Sequence, residues 1–402
     1  MNEVIYWLWL STSPRIGPRA ITELLRYYGS PEKMFFSSVG EITRLLPRNI
    51  DGAEELEKRD LDAAKRIFEK CDACGIDIVT LDEELYPERL RNIHLPPAVI
   101  YVKGKLADID SEPAVAIIGT RKASPYGYKM GVRMGYEIAK CGGTVVSGLT
   151  QGIDAAGAEG ALRADGRVIG VLGVPHELDR SRFSADIAMK GAVVSEYPPG
   201  TKPYGSFFRA RNRITSGLSL GAVVIEAPIK SGTRLFVNEA ADQGKEIFAV
   251  PGPADMRSSE GNNLLLKEGA KPVTNGWDVM SEFVGFYPDK VRRVEFERTD
   301  GLLPTVEKVP PKSRFAEPRE KKVVDKAPDA AYIDLKKQLE SLSTSQLKII
   351  ESMEGDSVHV DTIIDRCGLA PAKVLAELTL LQIKGYVRQE TGKHFSLNIK
   401  TK

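Results

Sequence analysis

Two consecutive stretches decide the fold: Ala114-Val-Ala-Ile-Ile-Gly-Thr-Arg121 and Thr144-Val-Val-Ser-Gly-Leu-Thr-Gln-Gly-Ile-Asp154. Each begins with a short run of small and β-branched apolar residues, which is typical of a strand buried on both faces of a parallel sheet. Each run passes into a turn rich in glycine, serine and threonine, and a helical pattern follows. These units predict an α/β fold with a Rossmann-like, doubly wound, mostly parallel sheet.

Similar runs recur up to about residue 275. The strand candidates, each bounded by Gly, Pro or Ser, are Ala114–Gly119, Thr144–Gly148, Val168–Gly173, Ala192–Tyr197, Ala222–Ala227, Glu246–Val250 and Lys271–Thr274. In the common strand order the sheet reverses between its first and fourth strands, and ligands bind beyond the carboxyl ends at that point. We therefore expect the turn 119–127 and the basic loop 209–213 to flank one crevice, joined by Ser231-Gly-Thr233.

Four segments organise the chain. Residues 1–75 have apolar positions at helical spacing and predict a small all-α domain of the helix-hairpin-helix or SAM-like kind. The Rossmann-like domain follows at 76–285, with an extension at 76–112. Residues 286–335 mix prolines with charged residues, which predicts a flexible linker. Residues 336–402 predict a winged helix, with helices at Ser343–Met353, Val360–Cys367 and Pro371–Lys384 and strands at Tyr386–Gln389 and His394–Asn398 around a 392–393 turn.

Composition limits the function classes. Lys and Arg total 56 against 55 Asp and Glu, so a polyanion site requires local clustering of cations. The apolar start Val4–Leu10 is far shorter than a membrane span. The four cysteines form no four-thiolate zinc site, and Cys71-x-x-Cys74 precedes a strand instead of opening a helix, which disfavours a redox pair. We expect a cytoplasmic protein with no metal and no cofactor.

Phosphate binding is indicated by the two glycine turns. Gly119, Gly148 and Gly152 allow a ligand to approach the backbone, and the helices that follow offer N–H groups and positive potential. Neither turn is a GxGxxG fingerprint or a Walker A loop, which disfavours a tightly held dinucleotide or nucleoside triphosphate. The turn Pro14-Arg-Ile-Gly-Pro18 suits either a phosphate contact or an ordinary turn between helices.

The segment Phe207-Phe-Arg-Ala-Arg-Asn-Arg213 is the most informative for function. Arginine offers a planar fork to phosphate oxygens, and aromatic rings offer stacking faces to bases. No Asp or Glu lies between Tyr197 and Gly221 to neutralise it. A solvated basic loop is the alternative, but the combination favours binding of a nucleic acid.

In these motifs the chain resembles the DNA-processing protein A family (DprA/Smf). The resemblance covers nearly the whole chain. The motifs that carry it are Gly119-Thr-Arg121 with Ser124, Tyr126 and Gly127; Ser147-Gly148 with Gly152-Ile-Asp154; Ser195-Glu-Tyr-Pro-Pro-Gly-Thr201; Arg211-Asn-Arg-Ile214 with Gly217-Leu-Ser219; Ser231-Gly232; Gln243-Gly244; and Phe248-Ala-Val-Pro-Gly252.

The resemblance implies a protein without catalytic residues that protects single-stranded DNA and helps to load the RecA recombinase, as in natural transformation and recombination. It also implies a homodimer through the Rossmann-like domain. Leu264, Leu265 and Leu266 are candidate interface residues, and ordinary packing of their helix against the sheet is the alternative. The expected DNA-binding residues are Gly119, Thr120, Arg121, Ser124, Ser147, Gly148, Arg209, Arg211, Asn212, Arg213, Ser231, Gly232 and Lys267. Asp154 and Glu196 are expected to hold loops or orient arginines.

The chain departs from the family pattern at several positions. Gly157 and Ala158 stand where Ala-His is common, and Phe236 stands where threonine is frequent. Arg209 replaces the usual proline, which predicts either an added phosphate contact or a surface arginine without a partner. The pocket of this chain therefore differs in detail from that of typical relatives.

Two other functions remain open. A nucleotide-binding or phosphoribohydrolase-type enzyme would place Glu196 or Glu226 near a ribose, but the four histidines are scattered and form no HExxH pattern. A transcription regulator would use the winged helix, whose presumed recognition helix carries only Lys373 and Lys384 as cations, a weak footprint for duplex DNA.

Overall fold

The computed structural model describes residues 3–13, 15–38, 40–45, 52–296, 343–353, 358–383, 386–390 and 394–397. The chain forms two compact units, Met1–Glu307 and Lys308–Lys402. Within the described ranges, no helix is long and apolar enough to cross a membrane.

The first unit begins with six helices: α1 Val4–Thr12, α2 Pro18–Tyr28, α3 Pro31–Phe35, α4 Glu41–Leu45, α5 Ala53–Glu57 and α6 Asp62–Ala73. Proline at the first position of α2 and of α3 fits the fixed φ of a helix start. Leu8 and Leu10 of α1 are fully buried, and the helix packs against α6. The hydrophobic core of these helices includes Val99 and Tyr101 from the strand Val99–Gly104, so the helices share a core with the rest of the unit.

A nine-stranded sheet follows: β1 Asp77–Thr80, β2 Val99–Gly104, β3 Ala114–Ile118, β4 Thr144–Ser147, β5 Val168–Leu172, β6 Ala192–Ser195, β7 Gly221–Val224, β8 Glu246–Ala249 and β9 Lys271–Pro272. Strands β3 to β9 pair in parallel, whereas β1–β2 and β2–β6 pair antiparallel. The Rossmann-like fold and all seven predicted strands are confirmed, each strand ending slightly earlier than predicted. Strand β2 was not among the predicted strands.

The strand order differs from the expected one. It is β1-β2-β6-β5-β4-β3-β7-β8-β9, so the reversal lies between β3 and β7, the first and fifth predicted strands, and not between the first and fourth. The cause is β6, which pairs with β5 on one edge and with β2 on the other. Residues 196–220 must therefore return from the far side of the sheet before β7 begins. We call them the crossover segment.

Helices cover both faces of the sheet: α7 Glu88–Arg91, α8 Pro125–Lys140, α9 Ile153–Arg163, α10 Ser184–Lys190, α11 Phe207–Ala210, α12 Asn212–Gly217, α13 Gly232–Asp242, α14 Glu260–Lys267 and α15 Gly276–Met280. One face buries α12 and α13 through Ile214 and Phe236. The other buries α8 and α9. These two helices approach so closely that a Cβ on Gly135 would lie 2.0 Å from the carbonyl oxygen of Gly157.

Residues 286–296 belong to the packed part of this unit. Val291 is buried, and the N–H of Arg292 donates to the carbonyl oxygen of Cys141 at 3.0 Å. The packed region therefore extends beyond residue 285, where the sequence predicted the linker to begin. The rest of the predicted linker, up to residue 335, lies outside the described residues.

The second unit contains α16 Thr344–Ser352, α17 Val360–Cys367, α18 Pro371–Ile383, and a sheet of β10 Val358–His359, β12 His394–Leu397 and β11 Val387–Glu390, in that order. It has its own core, in which Ile349, Leu378 and Phe395 are buried. The predicted winged helix is confirmed. Strand β10 was not predicted, and the 392–393 turn lies outside the described residues.

Candidate nucleic-acid interface

A pocket of about 430 Å³ opens at the carboxyl edge of the sheet, beside the ends of β3 and β7. Four separate parts of the chain line it: the turn Gly119–Arg121, the turn after β4 with Thr150 and Asp154, the crossover segment from Gly205 to Asn212, and the start of α13 at Ser231–Thr233. We call it the crossover pocket. The three elements that the sequence predicted to converge do so here, although the strand order that brings them together is different.

The predicted site residues divide into two groups. Those that line the crossover pocket are Gly119, Thr120, Arg121, Arg209, Arg211, Asn212, Ser231 and Gly232. Those outside its lining are Ser124, Ser147, Gly148, Arg213 and Lys267. Besides Asp154, the pocket is lined by residues outside the expected DNA-binding set: Ile118, Thr150, Gly205, Phe208, Thr233, Leu235 and Phe236. A sequence signal existed for the four that stand inside the motifs quoted above, Ile118, Thr150, Phe208 and Thr233.

Arg211 forms the floor of the crossover pocket. Its residue surface is only 5% exposed, and Nη1 donates to the carbonyl oxygen of Val171 at 2.9 Å. Its Nε is buried and has no hydrogen-bond partner among the residues that the structure describes. Burial lowers the pKa of Arg211 from its ordinary value, and the nearby Asp154 carboxylate opposes that change. A recessed cation with an unused N–H group is suited to an anion that enters the pocket.

Asp154 is the buried carboxylate of this pocket. Its Oδ2 accepts a hydrogen bond from Thr150 Oγ1 at 2.8 Å. Burial raises the pKa of Asp154, and Arg211 and the Thr150 hydroxyl oppose this. Ser147 holds the same loop, because its Oγ donates to the carbonyl oxygen of Asp154 at 2.8 Å. Asp154 and Ser147 therefore position the loop beneath Arg211.

The start of α8 does not offer the free phosphate cradle that the sequence predicted. Its amide groups already have partners: the N–H of Ser124 donates to Glu226 Oε2 at 2.8 Å, and the N–H of Gly127 donates to Ser124 Oγ at 3.0 Å. Glu226 is 4% exposed, and its Oε2 fills the space that a Cβ on Gly127 would need. An internal carboxylate thus occupies the electropositive end of α8.

The start of α13 is open instead. Ser231 is its N-cap residue, yet its buried Oγ accepts no capping hydrogen bond and has no partner in the described part of the chain. No acidic residue lies in the first turn of this eleven-residue helix, and a Cβ on Gly232 would meet nothing within 4 Å. Its first N–H groups and macrodipole therefore face the pocket and can receive a phosphate.

Two further guanidinium groups stand at the mouth of the pocket. Arg121 is exposed, and its Cζ lies 5.6 Å from the centroid of the Phe208 ring. Arg209 is also exposed and forms no ion pair within the described part of the chain. Arg121, Arg209 and Arg211 together outnumber Asp154, the acidic side chain in the lining. The pocket is therefore cationic.

Arg213 departs from its predicted role. Its Nη2 donates to Glu196 Oε1 at 2.5 Å, and both residues line a different cavity, on the other side of α11. The physical reason is that two residues of helix rotate the side chain by about 200°, so Arg211 and Arg213 point in nearly opposite directions. Glu196 therefore orients Arg213. The sequence predicted that Asp154 and Glu196 would hold loops or orient arginines.

The remaining residues of the predicted set lie around the pocket. Gly148 lies against Arg211, since a Cβ there would meet Nη1 at 1.8 Å. Lys267 is exposed at the end of α14, outside the lining. In the same helix, Leu265 is 5% exposed and belongs to the core, and Leu266 packs against that core. Two of the three candidate interface leucines are thus engaged within the chain itself.

Comparison with known proteins is consistent with this architecture. Protein Smf from Synechocystis is 28% identical to this chain over an alignment of 407 positions that covers 98% of each protein. The X-ray structure of DNA processing protein A from Streptococcus pneumoniae is 29% identical, with a TM-score of 0.61, and covers 70% of this chain and 98% of its own. DNA processing protein A from Helicobacter pylori, whose structure was described for its single-stranded DNA binding mode, is 28% identical, with a TM-score of 0.47, over 52% of this chain and 97% of its own.

Two family models match the chain. That of DNA recombination-mediator protein A matches residues 77–284, which contain every element of the crossover pocket. That of the DprA winged helix domain matches residues 334–393. The chain belongs to the DNA recombination-mediator protein A family, known as DprA or Smf.

Proposed function

We propose that this chain binds single-stranded DNA in the crossover pocket. The observation that carries the proposal is the joint presence there of a buried, incompletely bonded Arg211 and the open start of α13 with its unpartnered Ser231 hydroxyl. Both groups bind phosphate oxygens without regard to the base. Sequence-independent binding follows.

The recessed position of Arg211 favours a single strand over a duplex. A duplex presents its phosphates on a stiff convex surface, whereas a single strand bends and lowers one phosphate at a time into a pocket. Phe208 and Leu235 supply apolar surface for the bases beside it. Arg121 and Arg209, at the mouth, contact the neighbouring phosphates.

Arg209 provides the test of this proposal, because it is exposed and its removal leaves the core intact. We expect Arg209→Ala to weaken binding of single-stranded DNA several-fold and to reduce the slope of log affinity against log salt by about 0.7, the value for one phosphate. Gel shifts or fluorescence anisotropy across a salt series measure both quantities.

Lys105→Ala is the matched control, since Lys105 is exposed at the opposite edge of the sheet, beyond the end of β2. The affinity of the Lys105→Ala variant for single-stranded DNA, and its salt slope, should equal those of the wild type. An Arg121→Ala/Arg209→Ala double variant that still bound like the wild type would reject the crossover pocket.

The wider role in the proposal is that of a cytoplasmic mediator without catalytic activity that hands the bound strand to the RecA recombinase. The family description as a recombination mediator supports it. A homodimer would present two DNA strands side by side to a growing recombinase filament. Of the three candidate interface leucines in α14, Leu264 is the one that is not part of the core and is therefore left for such an interface. Release of free base from nucleoside monophosphates would instead favour the enzyme alternative.

A further inference from the structure

A second cavity, of 890 Å³ against the 430 Å³ of the crossover pocket, lies between the amino-terminal helices and the sheet. Its walls are the α1–α2 turn, one face of α6, the edge of β2 and the crossover segment. We call it the amino-terminal cavity. Its volume is in the range of small-molecule sites.

Its charge is positive. Arg66 and Lys70, one turn apart on α6, are exposed and take part in no ion pair among the described residues. Arg213 adds a third cation, and within the described ranges its buried Nη1 has no hydrogen-bond partner. Glu196 is the acidic side chain in the lining, and it is already paired with Arg213. The excess charge favours an anionic ligand.

Its surface is also aromatic and apolar. The rings of Tyr197 and Phe207 stack at a centroid distance of 3.9 Å and an angle of 12°. Ile16, Ile21 and Ile67 contribute the facing aliphatic wall. A ligand that fits both properties combines a flat, apolar ring with an anionic group, as a nucleotide does.

The two cavities are neighbours. The four-residue helix α11 separates them: Phe208 and Arg209 line the crossover pocket, while Phe207 and Ala210 line the amino-terminal cavity. A helix is only about 10 Å across, so one flexible strand reaches both cavities. Ile16, from the turn that the sequence analysis singled out as a possible phosphate contact, lies in the wall, whereas Pro14 lies outside the described residues.

We propose that the amino-terminal cavity binds one nucleotide unit, with its base on the Tyr197–Phe207 wall and its phosphate at Arg66 and Lys70. The unit is supplied either by the single strand held in the crossover pocket or as a free mononucleotide. The first source rests on the proposed function, and the second is independent of it.

Two alanines of α6 allow a test that alters no charge. Ala63 is exposed and lines the cavity, and Ala73 is exposed on the same helix but outside the lining. Ala63→Trp fills the cavity, and Ala73→Trp is the matched control. The full-length variants are titrated with thymidine 5′-monophosphate by calorimetry and with short and long oligothymidylates by anisotropy, after melting curves have shown that both fold.

If a free nucleotide is the ligand, Ala63→Trp loses thymidine monophosphate binding while Ala73→Trp keeps it. If the strand is the source, the monophosphate does not bind, and Ala63→Trp weakens binding of the long oligonucleotide about tenfold while sparing the short one. Equal binding of all probes by both variants and the wild type overturns the proposal.

Charge reversal gives a second, independent measurement. Arg66→Glu/Lys70→Glu should reproduce the loss seen with Ala63→Trp, whereas Lys58→Glu/Lys65→Glu, with the same change in net charge outside the cavity, should not. If Arg209→Ala is without effect while the two cavity variants lose binding, the crossover pocket fails as the DNA site and the amino-terminal cavity stands.

Discussion

Gly148 and Arg211 are packed so tightly that the glycine decides where the guanidinium lies. A Cβ on Gly148 would stand 1.8 Å from Arg211 Nη1 and 2.5 Å from Cζ. We therefore expect Gly148→Ala to push Arg211 off the floor of the crossover pocket and to lower affinity for single-stranded DNA about tenfold, the equivalent of one charge-assisted hydrogen bond. Anisotropy titrations measure the loss.

Gly205→Ala is the control for that experiment, because Gly205 lines the same pocket but a Cβ there meets nothing within 4 Å. This variant should bind like the wild type. If Gly148→Ala also did so, Arg211 would not be the phosphate-binding group.

Arg211 and Arg213 show how far the sequence predicts single residues. Both stand in one basic motif without nearby acids, and the sequence treats them alike. They separate because a helix directs them to opposite sides of α11, and because Glu196, which comes earlier in the chain, meets only Arg213. Residue type and motif predicted a cationic site, but side-chain direction depends on long-range packing.

At the level of elements, strand positions were predictable because they depend on local runs such as Ala114–Ile118. Their order was not, because it depends on which edges pair. The extension at 76–112 supplies β2, an antiparallel partner that takes the free edge of β6. Residues 98–102 of this extension form a continuous apolar run, which is typical of a buried strand, but they were not among the predicted strands.

His176 connects the extension at 76–112 to the parallel strands through a hydrogen bond. It follows β5, is buried, and its Nε2 lies 2.9 Å from the carbonyl oxygen of Tyr101 in β2. Burial lowers the pKa of His176, so the fold favours the neutral ring. The unfolded chain takes up a proton below about pH 6.5. The stabilisation from the neutral ring is therefore complete above that pH and is lost as the pH falls through the lower folded pKa.

His176→Gln keeps an N–H donor but cannot titrate. We expect it to lower the free energy of unfolding near neutral pH, and to lose less of that free energy than the wild type does on acidification. Urea unfolding between about pH 7.5 and pH 5 measures the free energy of unfolding of both proteins. His94→Gln is the control, because His94 is exposed. Parallel profiles for His176→Gln and the wild type would contradict the assigned cause.

For the whole molecule, the near-balance of 56 basic and 55 acidic residues means that DNA affinity must come from local sites. Both cavities are lined entirely by residues of the first unit, and the second unit closes its own core around residues such as Ile349 and Leu378. The sequence predicted the winged helix as a separate segment, because compositional changes along the chain are local signals. It also predicted a separate helical domain at 1–75, whereas those helices share a core with the sheet.

A chain that ends at Phe296 should therefore bind single-stranded DNA with the affinity and salt slope of the full protein. A chain that ends at residue 285 lacks Val291, which is 5% exposed, and also the side chains that pack against the same core, namely Tyr287, Val294 and Phe296. We expect it to lose more than about 2 kcal/mol of stability, the contribution of one buried aliphatic side chain. Its melting temperature should fall accordingly, while whatever remains folded still binds DNA. If the chain ending at residue 296 lost affinity, the winged helix would carry part of the DNA site. If residues 331–402 alone bound duplex DNA with a sequence preference, the transcription-regulator alternative would be favoured.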